Sequence, residues 1–410
     1  QLSEDALNAV SLAFPLQNLM IAFGAGTAVG INALLSRSLG EKNQAMADRA
    51  ANTGIFLALC NFALFALIGI FFSRTFFELQ AGGEQVIIDY GVDYASICLG
   101  CSIGIFSQFC FERLLQSTGR TTLAMCTQLI GAVTNIILDP ILIFGLCGFP
   151  RLEVAGAAVA TVAGQILAAI IAVIMNLKKN PDIHIIPREI RWNGSIAKEI
   201  YRVGFPSIVM QSISSIMTFG MNKILFGFTK TATAVFGAYF KLQSFVFMPV
   251  FGLNNGMVPI VSYNYGAKRP DRITQTIRLS AIYAVAIMAA GVAVVQLIPD
   301  KLLRLFDASE QMLTIGVPAL RIISTCFVFA GFSIVCSSVF QALGNSIFSM
   351  IMSITRQLAV LLPAAYILAH AFGLHAVWYA FPIAEFASLA LSIIMLSHTY
   401  KKVIMPIAAD

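Results

Sequence analysis

The chain is 410 residues long, and 58% of its residues are hydrophobic whereas only 11% are charged. Soluble domains are about one quarter charged, so this composition excludes a soluble globular protein. The net charge of +6 comes without a nucleic-acid-binding motif. Apolar runs long enough for transmembrane helices recur along the chain, and the alternating short strands of a transmembrane β-barrel are not found. The sequence therefore predicts an all-α, polytopic membrane protein.

Eleven apolar segments are predicted to span the membrane. They are separated by short polar loops, except for one longer basic linker after the fifth segment. In chain order the segments cover residues 8–36, 50–73, 92–116, 121–146, 155–177, 200–228, 232–263, 275–298, 315–341, 346–371 and 374–398.

The basic residues are distributed unevenly between the two sets of loops. Seventeen Lys and Arg residues fall on one side of the predicted membrane and five on the other. Such a bias marks the cytoplasmic side, which then holds the linker and the C-terminus. Four basic residues lie within spans and have open roles: Lys223, Lys241, Arg321 and Arg356.

The two halves of the chain resemble each other at a nearly constant offset. Residues 14–30, FPLQNLMIAFGAGTAVG, align with residues 240–256, FKLQSFVFMPVFGLNNG, at an offset of 226, so that Gln17 meets Gln243. Further on, LLQSTGR aligns with VFQALGN at an offset of 225. Several collinear matches of this kind indicate an internal repeat.

The second half opens with an extra span, 200–228, whose counterpart would precede Gln1. We therefore expect two six-helix bundles in the intact protein, with the first helix missing from this chain. An even number of spans in each half gives a parallel repeat of the kind found in transporters. We expect an N-lobe over 1–177 (helices 2–6), a cytoplasmic linker over 178–199 and a C-lobe over 200–410 (helices 7–12). Two such bundles suggest alternating access around a cleft, and duplication for structure alone is the rival interpretation.

Three acidic residues lie well inside predicted spans: Glu112, Asp139 and Glu385. A charge at the centre of a spanning helix costs about 2.5–3.5 kcal/mol on insertion scales. Such residues usually face a wet cavity or bind a proton, so they are the first candidates for a functional site.

Asp139 is accompanied by other polar side chains on its own helix. Asn135 lies four residues earlier and Gln128 a further seven, so the three side chains form a stripe along one helix face. A carboxyl group with an amide and a hydroxyl beside it can carry a proton or act as an oxygen ligand for a small cation. Permanent hydrogen bonding between helices is the structural alternative. Hydroxyls are available from Thr161 and, as weaker candidates, from Thr127 and Thr134.

The other two carboxyl groups are more ambiguous. Gln108 and Glu112 form an i, i+4 pair on the preceding span, but Glu112 also adjoins Arg113, so an ion pair near the cytoplasmic end is an alternative. Glu385 stands alone after Pro382, and its role is open.

Pro140 follows Asp139 directly and is predicted to kink its helix, because proline cannot donate to the carbonyl of Ile136. A bend beside an ion-binding group lets the charge state bias the bend. In the second half Pro363 remains, but Leu362 replaces the aspartate. Ion chemistry is therefore expected to be concentrated in the first half.

The sequence resembles the MATE (multidrug and toxic compound extrusion) family, specifically its DinF/MepA-like bacterial branch. The resemblance covers essentially the whole chain and is best in ALNAVSLAFPLQNL, SRSLGEKN, FERLLQSTGRTTLAMCTQLIGAVTNIILDPILIFG and VAGAAVATVAGQ. It implies twelve helices in two lobes around a central cavity, and efflux of lipophilic organic cations driven by H⁺ or Na⁺. It also implies a location in the bacterial cytoplasmic membrane.

The resemblance also implies site residues. Asn135 and Asp139 match the ion site of related transporters, where they would also be the Na⁺ ligands, and Ala157 and Thr161 match its second helix. Glu112 matches an acidic residue of the substrate cavity. Gln108 and Gln128 match cavity-lining positions.

Three alternatives to an antiporter remain on the sequence alone. A lipid-linked precursor flippase of the same broad superfamily would need a cationic patch for diphosphate. A membrane enzyme is disfavoured, because no H-E-x-x-H, paired-Asp or Ser–His arrangement is present and the four His are scattered. A receptor or scaffold does not explain the repeat and the buried acids. We expect no cofactor besides the coupling ion, small cationic drugs and lipids as partners, no nucleic acid, and a monomer.

Overall fold

The computed structural model describes residues 4–80 and 84–408, and every regular element in these ranges is a helix. The first half contains seven α-helices and one short 3₁₀ turn, Pro187–Glu189, in the linker. The α-helices are α1 Glu4–Gly40, α2 Gln44–Phe71, α3 Ser73–Gln80, α4 Gln85–Gly100, α5 Ile103–Ser117, α6 Thr121–Phe144 and α7 Glu153–Lys179.

The second half begins with α8 and ends with a short 3₁₀ segment, Met405–Ala408. Two stretches are π-helical, Thr355–Leu361 and Tyr400–Ile404. The α-helices are α8 Gly194–Phe226, α9 Lys230–Gly266, α10 Pro270–Leu297, α11 Pro299–Arg304, α12 Glu310–Ser324, α13 Phe327–Ala342, α14 Ser346–Ile354, α15 Leu362–Phe372, α16 Leu374–Val377 and α17 Ala380–Thr399.

The predicted spans largely correspond to helices. In the described part of the chain nine helical segments are long and apolar enough to cross a membrane, and the pair α12–α13, bent by 50°, adds a tenth. The remaining predicted span, 200–228, lies on the 33-residue α8, where Gln211 and the serines around it interrupt the apolar run. The all-α, multi-pass membrane architecture expected from the sequence is therefore confirmed.

The internal repeat is visible in the backbone. Helices α1 and α9 each contain 37 residues, and α2 and α10 each contain 28, with bounds that differ by 226 throughout. Lys42 and Lys268 occupy the same turn position, with φ of 57° and 54°. The two halves thus repeat both the helix lengths and the turn between the first pair of helices.

The chain divides into two compact units, with the boundary between Ile208 and Val209 inside α8. In the first unit α7 packs on α5 and α6, and α1 packs on α2, α4 and α5. Its centre is formed by fully buried side chains such as Leu35, Leu99 and Leu114.

In the second unit α10 and α13 pack against α9, and α17 packs against α13 and the π-helical stretch 355–361. Trp378, Phe236 and Phe340 are its largest fully buried side chains.

The two ends of the first unit differ in their polar contacts. At one end the linker crosses the helix ends: Arg120 forms an ion pair with Asp182, and His184 contacts Asp48 through its backbone and its ring. At the other end the Tyr90 hydroxyl donates to Glu153. The linker is thus held on the first unit at the end that is rich in basic residues.

Two glycines allow α1 to approach the first turns of α8. A Cβ at Gly26 would lie 2.4 Å from Cγ1 of Ile208, and a Cβ at Gly30 would lie 2.1 Å from the carbonyl oxygen of Ile200. Small residues at such spacing let helix backbones approach closely in membranes. The sequence repeat places glycines at the equivalent positions 252 and 256, where a Cβ would meet no described atom within 4 Å.

This difference predicts opposite effects for a matched pair of variants. Gly30→Ala forces a backbone contact apart and should destabilise the protein by about 1–3 kcal/mol, the usual cost of overpacking. Gly256→Ala should leave stability unchanged or raise it, because alanine is better than glycine within a helix by about 1 kcal/mol. The thermal unfolding midpoints of the purified proteins in detergent measure both effects. Equal midpoints for the two variants would contradict the packing described here.

Candidate functional site

Glu112 lies at the centre of a buried hydrogen-bond cluster in the first unit. Its side chain is on α5 and only 2% of the residue is exposed. Gln108 Nε2 and Thr127 Oγ1 each lie 3.0 Å from Oε1, and Gln128 Nε2 lies 2.7 Å from Oε2. Both carboxylate oxygens therefore accept hydrogen bonds from neutral side chains of α5 and α6.

Asp139 belongs to a second, looser cluster. The side-chain amide of Asn135 donates to Asp139 Oδ1 at 3.4 Å and to Thr161 Oγ1 at 3.3 Å. Thr161 in turn donates to the carbonyl oxygen of Ala157 at 3.0 Å. Asp139, Asn135 and Thr161 are all half-buried, so this cluster is accessible in a way that the Glu112 cluster is not.

A stripe of small residues on α7 brings the Asp139 cluster together. Gly156, Ala160, Gly164 and Ala168 recur every four residues and are buried. A Cβ at Gly164 would lie 2.6 Å from the carbonyl oxygen of Gly131 and 3.3 Å from Cβ of Asn135. The backbones of α6 and α7 are therefore close enough for Asn135 on α6 to reach Thr161 on α7.

The polar stripe predicted on α6 divides into two sites. Gln128 joins the Glu112 cluster, whereas Asn135 lies seven residues later and joins Asp139. Seven residues of α-helix advance about 10 Å along its axis. The residues predicted for ion coupling and those predicted for the substrate cavity thus form separate groups, and α6 contributes to both.

The remaining predicted residues fall as follows. Thr127, a weaker candidate, lies 3.0 Å from Glu112 and 2.7 Å from the carbonyl oxygen of Ala124 on its own helix, and Thr134 donates to the carbonyl of Ile130. Arg113 donates to Gln116 at 2.7 Å. Pro140 lies inside α6, which continues through it to Phe144.

Two polar residues near Asp139 were not singled out as site residues from the sequence. Gln17 Nε2 donates to the Tyr94 hydroxyl at 2.9 Å, and Tyr94 is within electrostatic reach of Asp139. Gln17 could have been found, because the repeat preserves it as Gln243. Tyr94 lies in a stretch with no motif and joins the site only through the packing of α4 against α1.

The Asp139 cluster has the chemistry to exchange a proton or a small hard cation. Asp139, Thr161 and the Ala157 carbonyl present oxygen atoms, which hard cations prefer. Asn135 points its NH₂ group at Asp139 and Thr161 in this assignment, and rotation of the amide by 180° would present its oxygen instead. Among the described residues no group of three or more His, Cys, Asp or Glu side chains is arranged to hold a metal ion.

The described residues of the second unit form no equivalent of this cluster. Leu362 occupies the place of Asp139, and Ser337 that of Glu112. Glu385, the third acid expected within spans, pairs with Arg356 instead.

Comparison with known proteins agrees with this fold. The MatE family model matches residues 1–141 and 206–367. The multidrug export protein MepA of Staphylococcus haemolyticus (strain JCSC1435) is 27% identical over 380 residues, which are 92% of this chain and 82% of that protein. The FAD transporter of Shewanella oneidensis (strain ATCC 700550 / JCM 31522 / CIP 106686 / LMG 19005 / NCIMB 14063 / MR-1) is 24% identical over 391 residues, 94% of this chain and 85% of that protein.

A solved structure is also similar. It is described as the outward-facing conformation of a multidrug resistance MATE family transporter of the MOP superfamily. It superposes with a TM-score of 0.90 at 26% identity, over 98% of this chain and 90% of that one. The resemblance to the MepA-like bacterial branch is therefore confirmed, and the chain belongs to the MatE family of membrane transporters, which are not enzymes.

Proposed function

We propose that this chain is a cation-coupled multidrug antiporter that exports lipophilic organic cations by alternating access, with H⁺ or Na⁺ as the coupling ion. The observation that carries the proposal is the half-buried Asp139 carboxylate, which accepts from Asn135, whose amide also donates to Thr161 on the closely packed α7. Binding of the coupling ion neutralises Asp139, and release restores its charge. The similar proteins described as multidrug transporters support drugs as the transported substrates.

The Glu112 cluster is proposed to recognise the cationic substrate. Its carboxylate accepts from Gln108, Thr127 and Gln128, none of which carries a charge, and Arg113 is the charged neighbour next to it in the sequence. A negative group in such surroundings attracts an organic cation and disfavours an anion. This argument favours a cationic drug over the diphosphate-bearing cargo named for the FAD transporter.

The protein is proposed to lie in the bacterial cytoplasmic membrane as a monomer. The linker end of the first unit, with Arg120 and the basic residues around it, is proposed to face the cytoplasm and the anionic lipid headgroups. The C-terminus then lies on the same side. The flippase alternative is not favoured. The similar proteins are described as a multidrug export protein and a multidrug resistance transporter, and neither description mentions a lipid-linked precursor.

Asp139→Asn tests the coupling role. In inverted membrane vesicles the native protein should take up a fluorescent lipophilic cation when an outward-directed H⁺ or Na⁺ gradient is imposed. Asparagine cannot exchange a proton and offers a weaker cation ligand, so gradient-driven uptake should fall to that of vesicles without the protein. Asp300→Asn, at an exposed acid outside the cluster, is the matched control and should transport normally.

Equal uptake by native protein and Asp139→Asn would remove Asp139 from coupling. Uptake by neither would contradict drug export itself. The gradient that drives native uptake identifies the coupling ion.

Pro140→Ala tests the hinge. We propose that the charge of Asp139 biases the bend at the neighbouring proline, so alanine should leave cation binding intact but make uptake less dependent on the gradient. The measurement is the ratio of uptake with and without the gradient. Pro318→Ala also removes a proline from inside a helix and should not change this ratio; a ratio unchanged in Pro140→Ala as well would refute the hinge.

Glu112→Gln tests substrate recognition. Losing a charged contact worth 1.4 kcal/mol corresponds to about a tenfold loss of affinity, so the KM for a monovalent lipophilic cation should rise about tenfold or more. The dependence on the ion gradient should persist, unlike in Asp139→Asn. Ser337→Ala, at the equivalent position of the second half, is the control. A native KM in a well-folded Glu112→Gln protein would exclude Glu112 from substrate binding.

A further inference from the structure

The second unit contains a small cavity, lined by its own residues. Phe247 and Phe327 form part of its apolar wall, and its polar wall is formed by Gln243, Arg356, Gln357 and Glu385. The cavity measures about 50 Å³, and a water molecule needs roughly 10–15 Å³ on this measure. The space therefore suits a few water molecules or a proton and is too small for a drug-sized ligand, which needs at least about 300 Å³.

A half-buried ion pair lines this cavity. Arg356 Nη1 lies 3.1 Å from Glu385 Oε1, and the side chains are 25% and 13% exposed. The second oxygen, Oε2, is buried and has no hydrogen-bond partner among the described residues. An ionised carboxylate normally has donors on both oxygens, because an unsatisfied buried acceptor loses its hydration without replacement. A proton on Oε2 would remove the negative charge, and an unpaired neutral carboxyl group costs much less to bury than an unpaired charge.

In the described part of the chain, the charged and titratable neighbours of Glu385 are few. They are Arg356 on the π-helical stretch, Tyr239 on α9 and Cys326 at the start of α13. Cys326 donates to the carbonyl of Ile323, and Tyr239 is buried. Arg356 is therefore the charged group that opposes protonation of Glu385, and the pair forms one coupled unit.

Arg356 lies in an unusual stretch of helix. Residues Thr355–Leu361 are π-helical, whereas the equivalent helix of the first half, α6, is α-helical from Thr121 to Phe144. π-helical turns are rare and often mark functional sites. A change of one residue in register rotates the following side chains by about 100° around the helix axis. Arg356, the second residue of this stretch, reaches Glu385 on α17 from π-helical backbone.

We propose that Arg356 and Glu385 form a second proton-binding site, in which a proton added to Glu385 breaks the ion pair and releases the π-helical stretch 355–361 to change its register. The carboxylate takes up one proton and becomes neutral, while Arg356 keeps its charge and is solvated in the cavity. The site deepens the proposed function by giving the second unit its own response to protons. It rests on that function only in taking H⁺ as a coupling ion.

Infrared difference spectroscopy between acidic and basic pH tests the site without requiring transport. In the full chain reconstituted in lipid nanodiscs, protonated carboxyl groups give a C=O stretching band. One component of this band should be lost in Glu385→Gln and should change frequency in Glu385→Asp, and it should persist in Asp139→Asn. A difference spectrum identical in native protein and Glu385→Gln would show that Glu385 does not titrate and would overturn the proposal.

Hydrogen exchange tests the connection to the helix. Exchange of the backbone amides in 355–361, followed by mass spectrometry, should depend on pH beyond the intrinsic effect in native protein and should lose this dependence in Glu385→Gln. The peptide covering residues 131–138 of α6 is the control, which Glu385→Gln should not affect. No extra pH dependence in native 355–361 would overturn the release of the stretch. Failure of Asp139→Asn to impair transport would affect the proposed function alone.

Discussion

A carboxylate inside a membrane-spanning helix costs about 2.5–3.5 kcal/mol to insert, and the polar architecture of this protein follows from how that cost is offset. Glu112 accepts three hydrogen bonds from neutral side chains. Glu385 uses an ion pair, which leaves one oxygen unsatisfied. Asp139 has one long hydrogen bond to a described residue, from Asn135. The least satisfied and most accessible carboxylate is the one best suited to exchange an ion, which supports the separate roles proposed for Asp139 and Glu112.

The internal repeat shows that two halves with the same helix lengths hold different polar residues. Helix lengths and the turn around Lys42 and Lys268 are reproduced closely. Yet Leu362 replaces Asp139, and the helix that is continuous around Asp139 becomes π-helical around Arg356. Backbone geometry is set by hydrophobic packing and turn conformation, which both halves share. The polar residues are free to differ, because each needs only a partner within its own unit.

The spans and the repeat could be predicted from the sequence because both depend on local composition and regular spacing. The pairing of Asn135 with Asp139 could be predicted because residues four apart share a helix face. The sequence pattern placed Gln128 in one stripe with Asp139, whereas the structure assigns Gln128 to Glu112 on another helix. Such pairings between helices depend on the rotation and spacing of whole helices. The contact of Arg356 with Glu385, 29 residues apart, and the π-helical stretch are invisible to spacing rules for the same reason.

The packing of α6 against α7 gives a physical reason why a charge change at Asp139 would move backbone rather than only a side chain. Before Asp139, α6 is held against α7 where Gly131 meets Gly164. After it, a Cβ at Gly156 would lie 2.6 Å from the carbonyl oxygen of Leu142, which also accepts from the Leu152 backbone at 3.0 Å. Asp139 and the proline beside it lie between these two anchors. Closely packed backbones cannot slide continuously. A charge change at Asp139 would therefore bend α6 between the two contacts, at the position where proline has removed a helical hydrogen bond.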